Sequence, residues 1–399
     1  MYFPTLGCIS FPALPGGWLL RWVQTGAIAV AGDDFGRGDA TRDMGVNAAF
    51  SKRPRPERFS FTGSAGEYFR IWIVNLFLSI ITIGLYSPWA KVRRLKYFYG
   101  NTWLDGHNFD YVADPKKILK GRLIVVGVLI VVNVLLNISP FFAVLFIPYI
   151  IAFPWMLNTS MAFNARNTVY RNVCFGFRGT YGGAFKSFIL WPMGAAFTAY
   201  LLSPFMFQAI NQYIGSNTRW GRAQFETVSG VGPYYANFGR TLLMLLLMLI
   251  AMAVAILVPV LLIELVAMQN GSDGSNAAGV WAGAASVIIY PAMLGLIFYH
   301  GAGVRNIAFN STLLDGRYRL KSRLGRGRYL WIMVTNLIAT VLSLGLLRAW
   351  AATRTWAYLA DHTALEIDGD LESVIDAAQS EGNVAAAEYF DIEGMDFGL

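Results

Sequence analysis

The sequence predicts an all-α polytopic integral membrane protein with an internal duplication and small extended or β-hairpin caps between its membrane segments. Three observations lead to this fold class: a shortage of charge, long runs without any charged residue, and a segment that occurs twice. Of the 399 residues, 55% are hydrophobic and only 14% are charged. Soluble domains carry roughly 25% charged residues, so this chain is too poor in charge to cover a large surface that faces water.

Long uncharged runs account for the shortage. No Asp, Glu, Lys or Arg occurs in residues 123–165, 187–218 or 241–263. About 20 apolar residues are enough to span the hydrocarbon core of a bilayer as a helix, and lipid favours helices because they satisfy their own backbone hydrogen bonds. These runs predict membrane helices.

The repeated segment covers residues 68–102 and 329–363, which align without a gap. Both copies continue from an apolar stretch through a Gly-Leu corner into an aromatic and basic arm, so each predicts a helix, a corner at Gly84 or Gly345, and a second helix. Eleven identities carry the match: Tyr68, Ile71, Asn75, Leu76, Gly84, Leu85, Trp89, Ala90, Arg93, Tyr97 and Thr102, which recur as Tyr329, Ile332, Asn336, Leu337, Gly345, Leu346, Trp350, Ala351, Arg354, Tyr358 and Thr363. A repeat of this kind has to be identified before the fold is assigned.

The membrane domain is predicted over residues 58–360, and two kinds of unit alternate within it. The first kind comprises 68–100, 185–216 and 329–361, and the second comprises 121–166 and 239–309. Between them, an Asn-Thr or Asn-Ser pair is followed seven residues later by an aromatic residue, as in Thr102 and Phe109 or Ser311 and Tyr318. Alternating residues and turn residues around these pairs predict short β-hairpins outside the bilayer.

Both ends of the chain differ from this pattern. Residues 1–57 form an atypical N-terminal extension, predicted either to be a mis-called start upstream of Met44 or to be a disordered tail. Residues 361–399 contain eleven acidic and no basic residues, which predicts an acidic cytoplasmic tail that folds back on the basic body by charge attraction.

Several motifs together resemble the YjgN family of bacterial inner-membrane proteins. They are Tyr68-Phe69-Arg70-Ile71, Gly84-Leu85-Tyr86-Ser87-Pro88-Trp89-Ala90, Gly100-Asn101-Thr102 and the terminal Asp396-Phe397-Gly398-Leu399. The resemblance extends over about residues 58–399 and implies an inner-membrane location. The family has no assigned biochemical activity, so the resemblance implies no catalytic residues.

Lys and Arg are concentrated beside the predicted caps, which predicts that residues 91–122 and the C-terminus are cytoplasmic. Two arrangements remain open. If each unit of the first kind crosses once, there are seven crossings and residues 305–328 lie outside the cell. If these units fold back as hairpins, all caps lie on one side, and the charge distribution favours this one-sided arrangement.

Three sets of polar residues are candidate site residues. Asn75, Asn336 and Asn133 lie in apolar helices, where they could line a solute path or form hydrogen bonds between helices. Arg93, Arg354 and Arg94 could contact an anion or lipid headgroups. Glu264 and His300 could couple to protons, although both lie at the ends of apolar runs, where charge costs little.

The expected function is that of a multi-pass inner-membrane protein, with transport or permeation of a small solute as the specific hypothesis. The alternative is a non-catalytic envelope scaffold or a lipid-interacting protein. Cys8, Cys174 and the histidines His107, His300 and His362 are scattered, so no metal site or cofactor is expected. No nucleophile–base set is visible, so the protein is not expected to be an enzyme. Membrane lipids and a small solute are the expected partners, nucleic acid is not, and no protein partner is indicated.

Overall fold

One unit, a strand followed by a helical hairpin and a second strand, recurs along the chain. A computed structural model describes residues 55–367 apart from 272 and 274, with the backbone alone at 55, 140, 143, 282 and 284–294. The helices are α1 (Ala65–Ile81), α2 (Ser87–Gly100), α3 (Pro115–Ile138), α4 (Phe146–Arg166), α5 (Tyr181–Phe185), α6 (Trp191–Phe197), α7 (Ser203–Ser216), α8 (Gly232–Gln269), α9 (Ser275–Asn310), α10 (Arg326–Leu342) and α11 (Arg348–Asp361). A 3₁₀ turn, Pro140–Leu145, joins α3 to α4, and a π-helical turn, Lys186–Leu190, joins α5 to α6.

These helices form five consecutive hairpins in the described chain. The first covers 65–100, the second 115–166, the third 181–216, the fourth 232–310 and the fifth 326–361. The first, third and fifth are short, while the second and fourth are long. The predicted units of the first and second kind lie within the short and long hairpins, respectively.

The strands between the hairpins pair into one antiparallel sheet. They are β1 (Arg55–Arg58), β2 (Ser60–Phe61), β3 (Thr102–Leu104), β4 (His107–Tyr111), β5 (Thr168–Tyr170), β6 (Val173–Phe177), β7 (Thr218–Trp220), β8 (Ala223–Thr227), β9 (Thr312–Leu314), β10 (Tyr318–Ser322) and β11 (Thr363–Ile367). The order is β1-β11-β10-β9-β8-β7-β6-β5-β4-β3-β2. Each hairpin therefore starts and ends on neighbouring strands.

The two edges of this sheet meet at Phe59. Strand β1 pairs with β11, and β2, which follows one residue later, pairs with β3. The Phe59 amide itself donates to the Thr363 carbonyl at 3.0 Å. A single segment therefore joins both edges and almost closes the sheet into a ring. The closed sheet includes residues 55–57 and 363–367, which lie outside the predicted membrane domain.

The predicted all-α polytopic fold is wrong. The extended segments are not separate caps, because the hairpins return each strand beside the previous one and an eleven-stranded sheet results. Only three helices of the described chain are long and apolar enough to cross a membrane: Pro115–Ile138, Phe146–Arg166 and Gly232–Gln269. Helices α1 and α2, with 17 and 14 residues, are shorter than the roughly 20 residues that a crossing needs.

The interior of the sheet is filled by aromatic side chains. Phe109 stacks on Tyr170 with ring centroids 4.5 Å apart, and Tyr170 lies 5.5 Å from Trp220. Phe59 stacks on Phe109 at 6.0 Å. These side chains are at most 3% exposed, so they close the centre of the ring and form the main core of the molecule.

The second helices of the hairpins also contact one another around this ring. Lys91 of α2 donates to Asn164 of α4 at 3.2 Å, and Tyr213 of α7 donates to Asn158 of α4 at 2.6 Å. Phe207 of α7 lies 5.0 Å from His300 of α9. Ala302 of α9 clusters with Tyr358 of α11, and Trp356 of α11 stacks on Phe98 of α2. The helices thus close in the same order as the sheet.

The short hairpins share one form, which is determined at their corners. Gly84 and Gly345 have φ values of 85° and 93°, so segments 68–100 and 329–361 have the predicted helix–corner–helix form. Tyr200 takes the same place in the third hairpin with φ 66°. In all three corners a hydroxyl accepts from the amide four residues later, at Thr82, Thr198 and Ser343.

The repeated Asn-Thr pairs are helix ends. The hydroxyls of Thr102, Thr168 and Thr218 donate to the carbonyl four residues earlier, as do those of Thr312 and Thr363. Such bonds satisfy carbonyls that a helix end leaves free.

The predicted Asn310-Ser311 pair was placed one residue too early, because Thr312 rather than Ser311 makes the hydrogen bond that the threonine makes in the other pairs. The turn between β9 and β10 is one residue longer than the equivalent turns. As a result Leu320, rather than Tyr318, has the position in β10 that Phe109 has in β4: Leu320 pairs with Leu365, as Phe109 pairs with Tyr170. The matching aromatic spacing at Tyr318 was coincidental.

Candidate functional site

A buried polar cluster lies where the fourth and fifth hairpins meet. Asn237 of α8 and His300 of α9 are 1% and 6% exposed. The Asn237 Nδ2 lies 3.1 Å from His300 Nδ1 and donates to the His300 carbonyl at 3.2 Å. The Thr241 hydroxyl lies 3.1 Å from the same Nδ1. The apolar helices of the fourth hairpin are therefore joined by a polar contact near their sheet-facing ends.

Arg326, the first residue of α10, completes this Asn237–His300–Arg326 cluster. Its guanidinium lies 5.3 Å from the centre of the Tyr299 ring. Gly303 of α9 leaves room for the approach, since a Cβ there would overlap Asn237 Oδ1 and lie 3.0 Å from Arg326 Cζ. Asn237 and Arg326 therefore face each other across Gly303.

Three atoms of the cluster have no hydrogen-bond partner among the described residues. They are Asn237 Oδ1, His300 Nε2 and Arg326 Nη1, and all three atoms are buried. Buried polar atoms are normally paired, and an unpaired buried charge costs more than a neutral group. The cluster therefore combines a cation with unused hydrogen-bonding capacity, as a binding site for a polar group would.

His300 was predicted as a site residue from the sequence, but its partners Asn237 and Arg326 were not. Asn237 and Arg326 are separated from His300 by 63 and 26 positions in the chain, so no local spacing links them. The run His300-Gly301-Ala302-Gly303 was the available signal, because small residues on a helix allow a neighbouring helix to approach closely.

Glu264, the other candidate for proton coupling, is far from His300. Glu264 lies near the end of α8, whereas His300 contacts Asn237 near the beginning of that helix. The intervening 27 residues extend about 40 Å at 1.5 Å per residue. The structure does not bring this pair together.

The two equivalent asparagines have different surroundings. Asn336 Nδ2 donates to the Ala351 carbonyl at 3.1 Å and to the Thr355 hydroxyl at 2.9 Å, and its Oδ1 accepts from Arg354 at 3.1 Å. These bonds join α10 to α11. Asn75 is equally buried, at 6% exposure, but its Oδ1 has no partner in the described chain.

The remaining candidates lie apart from the cluster. Asn133 is exposed on α3 and accepts from Asn137 at 3.3 Å. Arg93 is exposed with its guanidinium 5.8 Å from the Tyr86 ring, so it does not repeat the Arg354–Asn336 bond. Arg94 is half-buried. Arg122 donates to Ser87 between the first and second hairpins.

A regular placement of basic residues was also missed. Each hairpin carries at least one basic residue five to eight residues from its sheet-facing end. We call one such residue from each hairpin the basic belt: Arg93, Arg122, Lys186, Arg240 and Arg354. At 1.5 Å per residue these lie roughly 8–12 Å from that end. The signal was available in the sequence only as the Lys and Arg surplus beside the caps.

Comparisons with known proteins agree with a membrane protein of unassigned activity. The chain is 26% identical over 370 residues to a Salmonella typhimurium protein named "Inner membrane protein YjgN", an alignment that covers 82% of this chain and 92% of the relative. A protein of the same name from Escherichia coli K12 is 43% identical over 53 residues, 13% of each chain. No solved structure matches the chain.

The resemblance to the YjgN family is thereby confirmed, and a family model gives the classification. The model described as "Bacterial protein of unknown function (DUF898)" matches residues 56–392, which is most of the chain, and the protein therefore belongs to this family.

Proposed function

We propose that this is an inner-membrane protein with a non-catalytic, lipid-interacting role, in which a cytoplasmic sheet holds five helical hairpins that enter the bilayer from one side. The observation that carries the proposal is the basic belt, because every hairpin has at least one basic residue at a similar height above the sheet. Cations and aromatic residues at one level are typical of contact with lipid phosphates.

The fourth hairpin has the dimensions of a membrane crossing above this belt. The charge-free run 241–263 begins directly after Arg240 and ends before Glu264. It is about 35 Å long as a helix, slightly more than the ~30 Å hydrocarbon core. Glu264 would then lie among the headgroups of the far leaflet, and this position accounts for its charge without a proton-coupling role.

The short hairpins would enter only the near leaflet. Their tips carry highly exposed apolar side chains, with Ile83 94%, Leu344 95% and Phe197 85% exposed. Such patches on soluble proteins mark interaction or membrane surfaces. Three half-inserted hairpins beside two crossing ones would bring the belt of the whole ring to the headgroups of one leaflet.

The positive-inside rule gives the orientation. The belt and the sheet would be cytoplasmic, together with the start of the acidic segment at Asp361. This is the one-sided arrangement, with multi-pass crossing supplied by the second and fourth hairpins. The predicted fold-back of the tail after residue 367 lies outside the described residues.

Solute transport, the specific function predicted from the sequence, is the less favoured alternative. A path along the ring axis would have to pass the aromatic side chains that fill the sheet, including Phe109, Tyr170 and Trp220. Lipid binding requires no such opening. Transport would be supported instead if solute uptake by vesicles depended on these aromatic residues.

Single-cysteine labelling tests the proposal. On a background without Cys8 and Cys174, Asp273→Cys should react with an impermeant thiol reagent from the periplasm, while Asp315→Cys should react only after the membrane is permeabilised. Asp315 is a suitable probe because it is exposed, whereas Ser322 in the same basic segment is 1% exposed and would resist labelling from either side. Periplasmic labelling at 315 would contradict the one-sided arrangement.

A further inference from the structure

The Asn237–His300–Arg326 cluster contains a cation whose charge is not matched within the described chain. Arg326 Nη1 is buried without a hydrogen-bond partner, and its observed neighbour is the face of Tyr299. An aromatic face stabilises a cation only modestly. Arg326 as a whole is half-buried, and a partly desolvated guanidinium without a counter-ion is unfavourable, so an anionic partner from outside the chain would stabilise this arrangement.

The protonation of His300 follows from the hydrogen bonds of Asn237. The Asn237 Nδ2 contacts the His300 carbonyl, which can only accept, so this amide atom is the NH₂ group. It therefore donates to His300 Nδ1 as well, so this ring nitrogen is an acceptor; the Thr241 hydroxyl, which lies 3.1 Å from Nδ1 and 2.9 Å from the Asn237 carbonyl, has one hydrogen to share between these two acceptors. In the neutral ring the hydrogen then lies on Nε2, and the unpartnered buried Nε2 is a donor. Two unused donors, on Arg326 and His300, thus belong to one cluster.

The start of α10 adds a third favourable feature. This 17-residue helix begins at Arg326 after Gly325, which forms no side-chain cap, and its first turn contains no acidic residue. The free amides and the dipole at a helix N-terminus favour an anion. The guanidinium fork matches the geometry of phosphate oxygens. Asn237 Oδ1, the unused acceptor, can take a hydrogen bond from a protonated oxygen or a hydroxyl of the ligand.

We propose that the cluster binds a phosphate group between α8, α9 and α10, with Arg326 and His300 Nε2 as donors and Asn237 Oδ1 as acceptor. The phosphate comes either from a lipid headgroup or from a free phosphate. The lipid source rests on the proposed lipid-interacting function, since Arg240 of the basic belt lies one turn beyond Asn237 on α8. The binding chemistry itself does not depend on that function.

The test measures the thermal unfolding midpoint of the purified full-length protein in a neutral detergent. One arm adds inorganic phosphate against chloride at equal ionic strength, and the other adds phosphatidylglycerol against phosphatidylcholine. We expect a midpoint that rises with one of the two probes. Arg326→Gln should weaken the apparent affinity about tenfold or more, the scale of a lost charged hydrogen bond. Arg328→Gln is the matched control, because Arg328 is exposed on the same helix.

The arms separate the two sources and the two proposals. A response to phosphatidylglycerol alone assigns a lipid headgroup, and a response to inorganic phosphate assigns a free phosphate even if the labelling experiment contradicts lipid embedding. If Arg326→Gln does not fold, Arg326→Lys takes its place in the test. This variant keeps the charge but loses the guanidinium fork, so it should bind with intermediate affinity. No response of the wild-type protein to either probe, or an equal loss in Arg328→Gln, would overturn the proposed site.

Discussion

Single residues with left-handed backbone conformations determine where the short hairpins turn. At each corner two consecutive residues have positive φ, and in the first and fifth hairpins the second of them is glycine, Gly84 or Gly345. Glycine adopts this conformation without a steric penalty. In the third hairpin the pair is Ala199-Tyr200, so the same turn is made with a side chain that opposes it.

Tyr200→Gly should therefore stabilise the protein. A non-glycine residue in the left-handed region costs roughly 1–2 kcal/mol, and the Tyr200 ring is 54% exposed, so little packing is lost. We expect the free energy of unfolding to rise by about 1 kcal/mol, measured by thermal or denaturant unfolding in detergent. Gly84→Ala, the reverse change at the equivalent place, should lower it. A lower stability for Tyr200→Gly would show that its ring contributes more than the turn costs.

Gly303 has a different role, since it provides space rather than backbone freedom. An added methyl group would collide with Asn237 Oδ1 and press on Arg326. Gly303→Ala should lower stability by ~1–3 kcal/mol, the usual cost of overpacking. Gly239→Ala on α8 is the matched control, because a Cβ there meets no described atom within 4 Å and alanine is the better helix former. Equal effects of the two changes would mean that Asn237 moves aside freely.

At the scale of elements, every hairpin ends on a threonine that connects a helix to a strand. Thr168 is fully buried, and its hydroxyl donates to the Asn164 carbonyl at 2.9 Å. The following strand starts at this residue. The Asn-Thr pattern is thus a local signal for the end of a helix and the start of a strand.

Thr168→Val keeps the shape of the side chain but removes this hydrogen bond. Loss of a buried hydrogen bond should lower the free energy of unfolding by about 1–2 kcal/mol. Thr159→Val in the preceding helix α4 is the control, because Thr159 also bonds the carbonyl four residues earlier, at 3.0 Å, but is only half-buried. Its loss should have less than half the effect in denaturant unfolding. Similar losses at the two positions would show that Thr168 has no special place in the fold.

The local elements were predictable from the sequence, but their assembly was not. The Gly84 corner and the strand around Phe109 follow from residue type and alternation. Strand β4, however, pairs with β5, and hairpin 115–166 lies between them in the chain. Period-two patterns indicate a strand without naming its partner, so separate caps were predicted. The cluster was hidden for the same reason, since Asn237, His300 and Arg326 meet only when adjacent hairpins pack.

At the scale of the whole molecule, closure of the ring depends on one short segment. Residues 55–61 pair with β11 through β1 and with β3 through β2, while α11 contacts α1 at the same junction. Arg55 pairs with Ile367, so the sheet closes through residues far apart in sequence. Phe59, 1% exposed, joins the central aromatic core from this segment.

Truncation should reveal how far the assembly depends on this closure. A chain that begins at Met44 retains β1, Phe59 and β2, and we expect it to accumulate in the membrane with an unchanged unfolding midpoint. A chain that begins at Gly63 lacks all three. It loses the buried Phe59 ring, which alone is worth about 3–5 kcal/mol, and it leaves β3 and β11 with unpaired edges that favour aggregation. It should unfold at a lower temperature and elute from size-exclusion chromatography partly as aggregate.

If the Gly63 chain were monodisperse with the midpoint of the Met44 chain, the helical ring alone would hold the molecule together. Phe59→Ala in the full chain would separate the two causes, since it removes the ring but keeps the pairing.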